Sequence, residues 1–493
     1  MFEEMKSVAK HFLVYGLGNI LTRIVGFILI PVYTHYLTTS EYGTLELLEL
    51  TTYIAGMFLA LGISQSLMRF YYDSEDPQRR REVVSTALFS IWGISLFAVV
   101  WFLVFSPQVS LFVFKKSDNA GLFRIIFWTL MFSLASEIPL SFIRTQQKSV
   151  FYTIISLCRL IVSLGLNITF IVGLGWGVRG IVLSGLISNG IASLYLSFYT
   201  IRQVGISFSG RRLKEMITYG LPYIPGGVGM FVLNFVDRFF LQRFTSLSEV
   251  GIYSLGYKFG MIINPLVTDP FFSIWRPKMF ELAKREDAKD IYSIMFTYFL
   301  FLEIFLGLGI SVLIRDVLRI ISGPEYQSAY KVVPLILLSY ILWGGYFHVQ
   351  VGILLEKKTQ HIAYIVAISA LSNLLLNFLL IPRYGIWGAA LATLTSFGIM
   401  FILNYIISNR IYYVKYQFGR VAKLLALAVV LYLVSLGIHA NSLFTSLLLK
   451  TFLVLSFPFL LFFLKFYSPK EIQKTKEILS KAGKSLKLTF VRK

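Results

Sequence analysis

The sequence predicts an all-α polytopic membrane protein of about 14 transmembrane helices, arranged as two parallel six-helix lobes plus two C-terminal helices. Three observations predict it. Apolar runs long enough to cross a bilayer recur from end to end. Basic residues gather in every second loop. Short motifs in the first half return in the second half at one offset, as Glu41 and Glu249 do 208 positions apart.

Composition sets the solvent. Of the 493 residues, 56% are hydrophobic and 14% charged, whereas a soluble domain carries about a quarter charged residues. The chain lacks the polar surface to cover itself in water. Runs such as "VVSTALFSIWGISLFAVVWFLVF" (83–105) and "LLALAVVLYLVSLGI" (424–438) suit a helix of roughly 20 residues in hydrocarbon. In order, the spans read as 12–33, 44–68, 83–105, 122–143, 150–173, 178–201, 217–242, 251–274, 291–314, 331–355, 361–381, 386–408, 421–439 and 443–466. The first is expected to be a retained span rather than a signal peptide, because it is long and holds Arg23. The loops are short and leave no room for a soluble domain. One cysteine, Cys158, allows no disulfide within the chain and no metal site built on paired cysteines.

The net charge of +21 is a topology signal. "RRR" (79–81), "RRLK" (211–214), Arg276 to Lys289, "KK" (357–358) and the tail after 465 all fall on one side of the span order. Most of the 46 Lys and Arg lie there. The positive-inside rule puts that side and both termini in the cytoplasm, with the basic tail near anionic headgroups. No nucleic-acid partner is expected.

The repeat fixes the lobes. "LTTSEYGTLEL" (37–47) matches "TSLSEVGIYSL" (245–255), with Ser40-Glu41-x-Gly43 on Ser248-Glu249-x-Gly251. The same offset carries Ser85 to Ser293 and Gly177/Gly180 to Gly385/Gly388. Each unit holds six spans. An even number inserts both copies the same way round, related by an axis along the membrane normal, with the substrate site between them. The division expected is 1–205 for spans 1–6, 206–410 for spans 7–12, 411–467 for spans 13–14, and 468–493 for a cytoplasmic tail.

Polar residues inside spans need a reason in a bilayer. Tyr15, Asn19 and Arg23 lie four apart on one helical face, with Arg23 about 16 Å deep. Arg159, Ser163 and Asn167 repeat the pattern in span 5. These stripes read as cavity lining or as bonds between helices. Asp237 and Arg238 stand side by side in "NFVDRFFLQRF" (234–244). As helical neighbours they point about 100° apart. They read either as a self-neutralising pair or as cavity groups with Asn234 one turn below. Lys258 is a further cavity candidate in span 8. The acids Glu137, Asp269 and Glu303 read as buried. Each is either an ion-coupling site or an arginine's partner. "GLPYIPGG" (220–227), with Gly220, Pro222, Pro225, Gly226 and Gly227, should bend span 7 near its cytoplasmic end, as close packing or as a hinge.

Three stretches carry a family likeness: "RIVGFILIPVYTHYLTTSEYGTLEL", "YGLPYIPGGVGMFVLNFVDRFFLQRFTSLSEVGIYSLGYKFG" and "LLLNFLLIPRYGIWGAALAT". With them the chain resembles the multidrug/oligosaccharidyl-lipid/polysaccharide (MOP) exporter superfamily, and within it the polysaccharide transporter branch of Wzx-type O-antigen and capsule-unit flippases. The resemblance implies a fold like that of MATE and MurJ transporters. It also implies export of undecaprenyl-diphosphate-linked oligosaccharide across a bacterial cytoplasmic membrane, beside membrane lipids and a glycan polymerase. Related lipid II flippases use basic residues on spans 1, 2 and 8; Arg23 and Lys258 match the first and third. Span 2 departs from that pattern, since it carries Glu46 and Glu49, which read as interfacial.

No HExxH, Walker A or nucleophile-elbow motif appears, and the five histidines show no ligand spacing. Neither catalysis, a cofactor nor a metal is expected. A multidrug antiporter of the same superfamily is the nearer alternative. A membrane acyltransferase or glycan ligase is the remote one, with His348 its intramembrane candidate. The charge asymmetry gives a first test: alkaline phosphatase fused to the C-terminus is expected to be inactive in intact cells, and active fusions would place that end outside.

Overall fold

A computed structural model describes residues 27–438, 440, 442–469 and 471–473. Tyr15, Asn19, Arg23 and the tail beyond 473 lie outside the described residues. The described chain is helical, and its contacts divide it into two compact units. The first comprises Met1–Lys258, Leu318–Ile336 and Thr359–Met400; the second comprises Phe259–Val317, Leu337–Lys358 and Phe401–Lys493.

In the first unit, α1 covers 27–36 and α2 runs Thr39–Leu59. A capping box opens α2. Thr38 accepts from the Glu41 amide, and Glu41 accepts from the Thr38 amide at 2.9 Å, which satisfies orphan donors of the first turn. α3 (Ile63–Tyr72) continues the span after a 40° bend. The bend sits at Leu61 and Gly62, both with left-handed φ, and a single unbroken span 44–68 was the expectation. α4 (Pro77–Phe114), α5 (Ala120–Thr145), α6 (Ser149–Ile168) and α7 (Gly177–Val204) follow, with α5 packed against both α4 and α7. Span 7 is broken as its sequence predicts. α8 (Gly210–Gly220) and α9 (Tyr223–Phe235) meet at 44°, where Pro222 cannot donate a backbone bond. α10 (Asp237–Phe244) and α11 (Leu247–Met261) complete the run.

The repeat reappears as equivalent contacts. A Cβ on Gly43 would overlap the carbonyl oxygen of Leu247, and one on Gly251 would overlap that of Thr39. Each contact is the other shifted by 208, so α2 and α11 cross on a local pseudo-two-fold. Thr39 and Ser248 bond hydroxyl to hydroxyl there at 2.7 Å. Ser246 caps Glu249 in α11 as Thr38 caps Glu41 in α2. Gly177 and Gly385 share a φ of 52° and 53°, and each presses on the matching glutamate, Glu41 or Glu249. Only glycine takes that backbone freely at such close range.

The second unit holds α12 (Asp269–Leu282), most of α13 (Ala288–Ile321) and of α14 (Val333–His348), α15 (Val351–Leu355), the end of α16 (Gln360–Ile411), α17 (Phe418–Leu436) and α18 (Leu443–Phe463). Ser293 donates to the Lys415 carbonyl at 2.7 Å, as its repeat partner Ser85 bonds Ser207 in the first unit at 2.9 Å. α18 is fastened to α13 inside this unit by Lys450, which donates to Asp316 at 2.5 Å.

Among the described residues, 9 helices are long and apolar enough to cross a membrane, or up to 11 if each bent pair is one span. The sequence count of fourteen differs at three places. Span 1 is mostly outside the described residues, and α16 holds two expected spans in one helix kinked at Gly385. Span 8 is divided among α11, a π-helical turn and α12, none of them long enough alone.

The crossing gives a test. Gly43→Ala and Gly251→Ala are each expected to lower the thermal unfolding temperature of detergent-purified protein, since a methyl would strike backbone that cannot rotate away. Gly121→Ala, where a Cβ meets nothing within 4 Å, should leave it unchanged or raise it.

Candidate functional site

Helices α1, α2, α3, α5, α6, α7 and α9 of the first unit line an open cavity of about 740 Å³. The stripe expected in span 5 reaches it. Arg159, Ser163 and Asn167 all line the wall from α6. Tyr33 of α1 donates to Asn167 Oδ1 at 3.2 Å, and Asn167 returns a bond to the Ser163 carbonyl at 2.9 Å. Arg159 makes neither a hydrogen bond nor an ion pair with a described residue. A guanidinium inside a membrane bundle without an acid partner is costly unless water or a ligand meets it.

Two carboxyl groups share this wall, Glu49 of α2 and Glu137 of α5, and both are exposed to the cavity. This corrects one reading. Glu137 is not a buried acid, because α5 turns it toward the cavity. Glu49 starts a polar stripe with Thr52, Tyr53 and Gly56 that lines the cavity along α2. Their three- and four-residue spacing was the available signal. At the cavity's end, Gly227 of the predicted hinge lies against Met57. Gly220 touches the backbone of Leu61 and Gly62, so the breaks of spans 2 and 7 abut. Pro225 and Gly226 stand in the first turn of α9.

Of the other expected cations, the two among the described residues, Lys258 and Arg238, are neutralised. Lys258 bonds Glu46 and donates to the Tyr42 hydroxyl at 2.9 Å. Glu46 is only 7% exposed and faces its lysine partner. The pair joins α2 and α11 beyond their glycine crossing. Arg238 and Asp237 are both buried and bond each other at 2.6 Å. The long guanidinium side chain folds back at the helix break after Phe235, which overcomes the 100° between neighbours. Arg238 also donates to the Asn234 carbonyl at 2.6 Å and lies 3.8 Å over the Tyr257 ring. Tyr253 donates to the second oxygen of Asp237 at 2.5 Å. Asn234 itself is held by the Met230 carbonyl at 2.8 Å. Among the described residues, this closed network is the self-neutralising alternative of the sequence reading.

In the second unit, Glu303 is wholly buried and accepts from Thr268 at 2.7 Å, with its other oxygen unpartnered. Asp269, also read as buried, is exposed. A π-helical turn over Asn264–Thr268 adds a residue to the helix and rotates Asp269 outward. His348 is buried with both ring nitrogens unpartnered, stacked 5.4 Å from Trp275. The described residues contain no cluster of His, Cys, Asp or Glu that would hold a metal.

The Lys258 pair is open to test. Breaking a fully buried ion pair on one side costs about 3–5 kcal/mol; Glu46 is buried but the Lys258 side chain is 35% exposed, so solvent screening makes the loss here smaller. Lys258→Met should lower thermal stability, and adding Glu46→Gln should recover most of the loss. Equal stability of Lys258→Met and the parent would show that the pair carries no load.

Comparison with known proteins places these features. The chain shares 24% identity over 221 residues with a probable low-salt glycan biosynthesis flippase of Haloferax volcanii, covering 43% of this chain and 46% of that protein. It shares 24% over 230 residues with an uncharacterized membrane protein of Methanocaldococcus jannaschii, covering 43% and 42%. The match thus spans less than half the length of these curated relatives. In fold it is similar to the lipid II flippase MurJ in an inward closed conformation, with TM-score 0.74, 15% identity and coverage of 91% of this chain and 99% of that one. It is also similar to an inward-facing multidrug resistance MATE family transporter of the MOP superfamily, with TM-score 0.62, 13% identity and coverage of 84% and 95%. Residues 8–283, more than half of the chain, match the family described as Polysaccharide biosynthesis protein, and the chain belongs to that family.

Proposed function

We propose that the chain is a flippase that moves oligosaccharide, linked through diphosphate to a polyprenyl lipid such as undecaprenol, across the cytoplasmic membrane by alternating access. The observation that carries this reading is the cavity wall itself. Arg159, Glu49 and Glu137 stand open on this wall, whereas Arg238 and Lys258 are neutralised by acids of the same unit. Charges left unpaired there suit a large polar cargo that must leave water while its lipid tail stays in hydrocarbon. The family membership and the flippase name of the Haloferax relative support the same reading.

In the proposed cycle, residues 1–205 rock against 206–410, with membrane lipids and glycan-polymerising enzymes as partners. The bends at Gly62 and Gly220 supply the joint. Arg159, with Arg23 from the first span, holds the diphosphate, because guanidinium meets phosphate oxygens bidentately. Lys258 and Arg238 act as fasteners. Glu303, buried without a cation, is the ion-coupling residue in this proposal.

A second reading rests on the two carboxyl groups of the cavity, which would equally receive an organic cation exported by an antiporter. One experiment separates the two. Proteoliposomes holding the purified protein are loaded with a fluorescent polyprenyl-diphosphate oligosaccharide, and movement is read by protection from an added glycosidase; ethidium efflux is read in parallel. The glycan lipid is expected to move. Arg159→Ala should slow it by about tenfold or more, the loss of one ionic contact of about 1.4 kcal/mol, and Arg159→Lys by less. Arg23→Ala should abolish it. Ethidium efflux without glycan-lipid movement would favour the antiporter.

A further inference from the structure

The cavity is more than a polar passage. Its described wall carries two carboxyl groups against one guanidinium, and none of the three is hydrogen-bonded or ion-paired to a described residue. A diphosphate alone would call for the opposite balance. The rest of the wall is suited to a different part of the cargo. Tyr53 and Tyr223 are 55% and 53% exposed; one face of the Tyr53 ring stacks on Phe231, and what remains open of the two rings is flat apolar surface on which the C–H side of a pyranose can lie. Asn189 of α7 reaches the wall with its side-chain oxygen unpartnered and its nitrogen fixed to the Gly185 carbonyl at 2.7 Å. Carboxylate and amide oxygens are acceptors, and a sugar presents hydroxyl donors in adjacent pairs. A volume of 740 Å³ falls within the range of about 300–1,000 Å³ typical of small-molecule sites and admits a short oligosaccharide.

We propose that this cavity is a sugar chamber, in which Glu49 and Glu137 grip sugar hydroxyls and select glycans of neutral or amino sugars against glycans bearing uronic acids. The proposal rests on the flippase reading above. The selection has two parts. A neutral sugar satisfies each carboxylate with hydroxyl donors, and an amino sugar adds an opposite charge. A uronate brings a third carboxylate into a space walled by helices, where like charges are poorly screened and the one described guanidinium of the wall, Arg159, is committed to the diphosphate in the proposed cycle. Specificity built on such unpaired groups is large, because the wrong ligand leaves them unmet.

The test uses the full-length protein in proteoliposomes with three probes: a polyprenyl-diphosphate neutral trisaccharide, the same with one amino sugar, and the same with one uronic acid. The parent protein is expected to move the first two at least about tenfold faster than the third, a discrimination of about 1.4 kcal/mol. In Glu49→Gln/Glu137→Gln the ratio of rates, taken within that variant, should narrow to about threefold or less. Glu49→Asp and Glu137→Asp, which keep the charge, should keep the discrimination. A parent protein that moves the uronate probe as fast as the neutral one overturns the chamber and leaves the flippase standing. So does a glutamine variant that keeps the full ratio. If none of the three lipids moves, both the chamber and the flippase fall.

Discussion

The structure of the first unit depends on one close crossing. α2 and α11 meet where Gly43 and Gly251 leave no room for a side chain on either helix. Backbones that close exclude lipid and fix the depth at which each helix sits. The small-residue logic of membrane helix packing accounts for it, since apolar burial offers little preference for helix over lipid. From that crossing outward, the Thr39–Ser248 bond, the two caps and the Glu46–Lys258 pair fall into place. The reciprocity of the contact, each glycine facing the other's repeat equivalent, makes the crossing a local symmetry element as well as a weld.

Charge inside the membrane is sorted by partner. Asp237 with Arg238 on α10, and Glu46 with Lys258 and Asp316 with Lys450 between helices, are closed pairs. Such pairs hold geometry and add little net stability, but losing one member is costly. On the cavity wall, Glu49, Glu137 and Arg159 have no such partner among the described residues. The distinction between fastener and site is therefore written in who touches whom and not in residue type.

That is also where the sequence stops being legible. The class of fold, the bend in span 7 and the span 5 stripe could be read from hydropathy, Gly/Pro content and helical spacing, because each is a local property. The repeat could be read because its motifs serve capping and crossing in both copies. The partners could not. Glu46 and Lys258 are 212 positions apart, Asp316 and Lys450 are 134 apart, and nothing in either neighbourhood names the other. The misplacement of Asp269 has a different cause. A single π-helical turn rotates every later residue of its helix by a fraction of a turn, and no composition signal marks it. The break in span 2 was missed because "ALGIS" holds one glycine and no proline, too weak a signal beside the two prolines of span 7.

The abutting breaks at Gly62 and Gly220 have a consequence for how this sequence can change. Gly62 needs its left-handed backbone, and a methyl on either glycine would strike the other's main chain. Neither position can accept a larger residue unless the opposite backbone gives way first. Two sites 158 residues apart thus share one steric allowance, and lineages that altered one corner would have to reshape its counterpart in the same step.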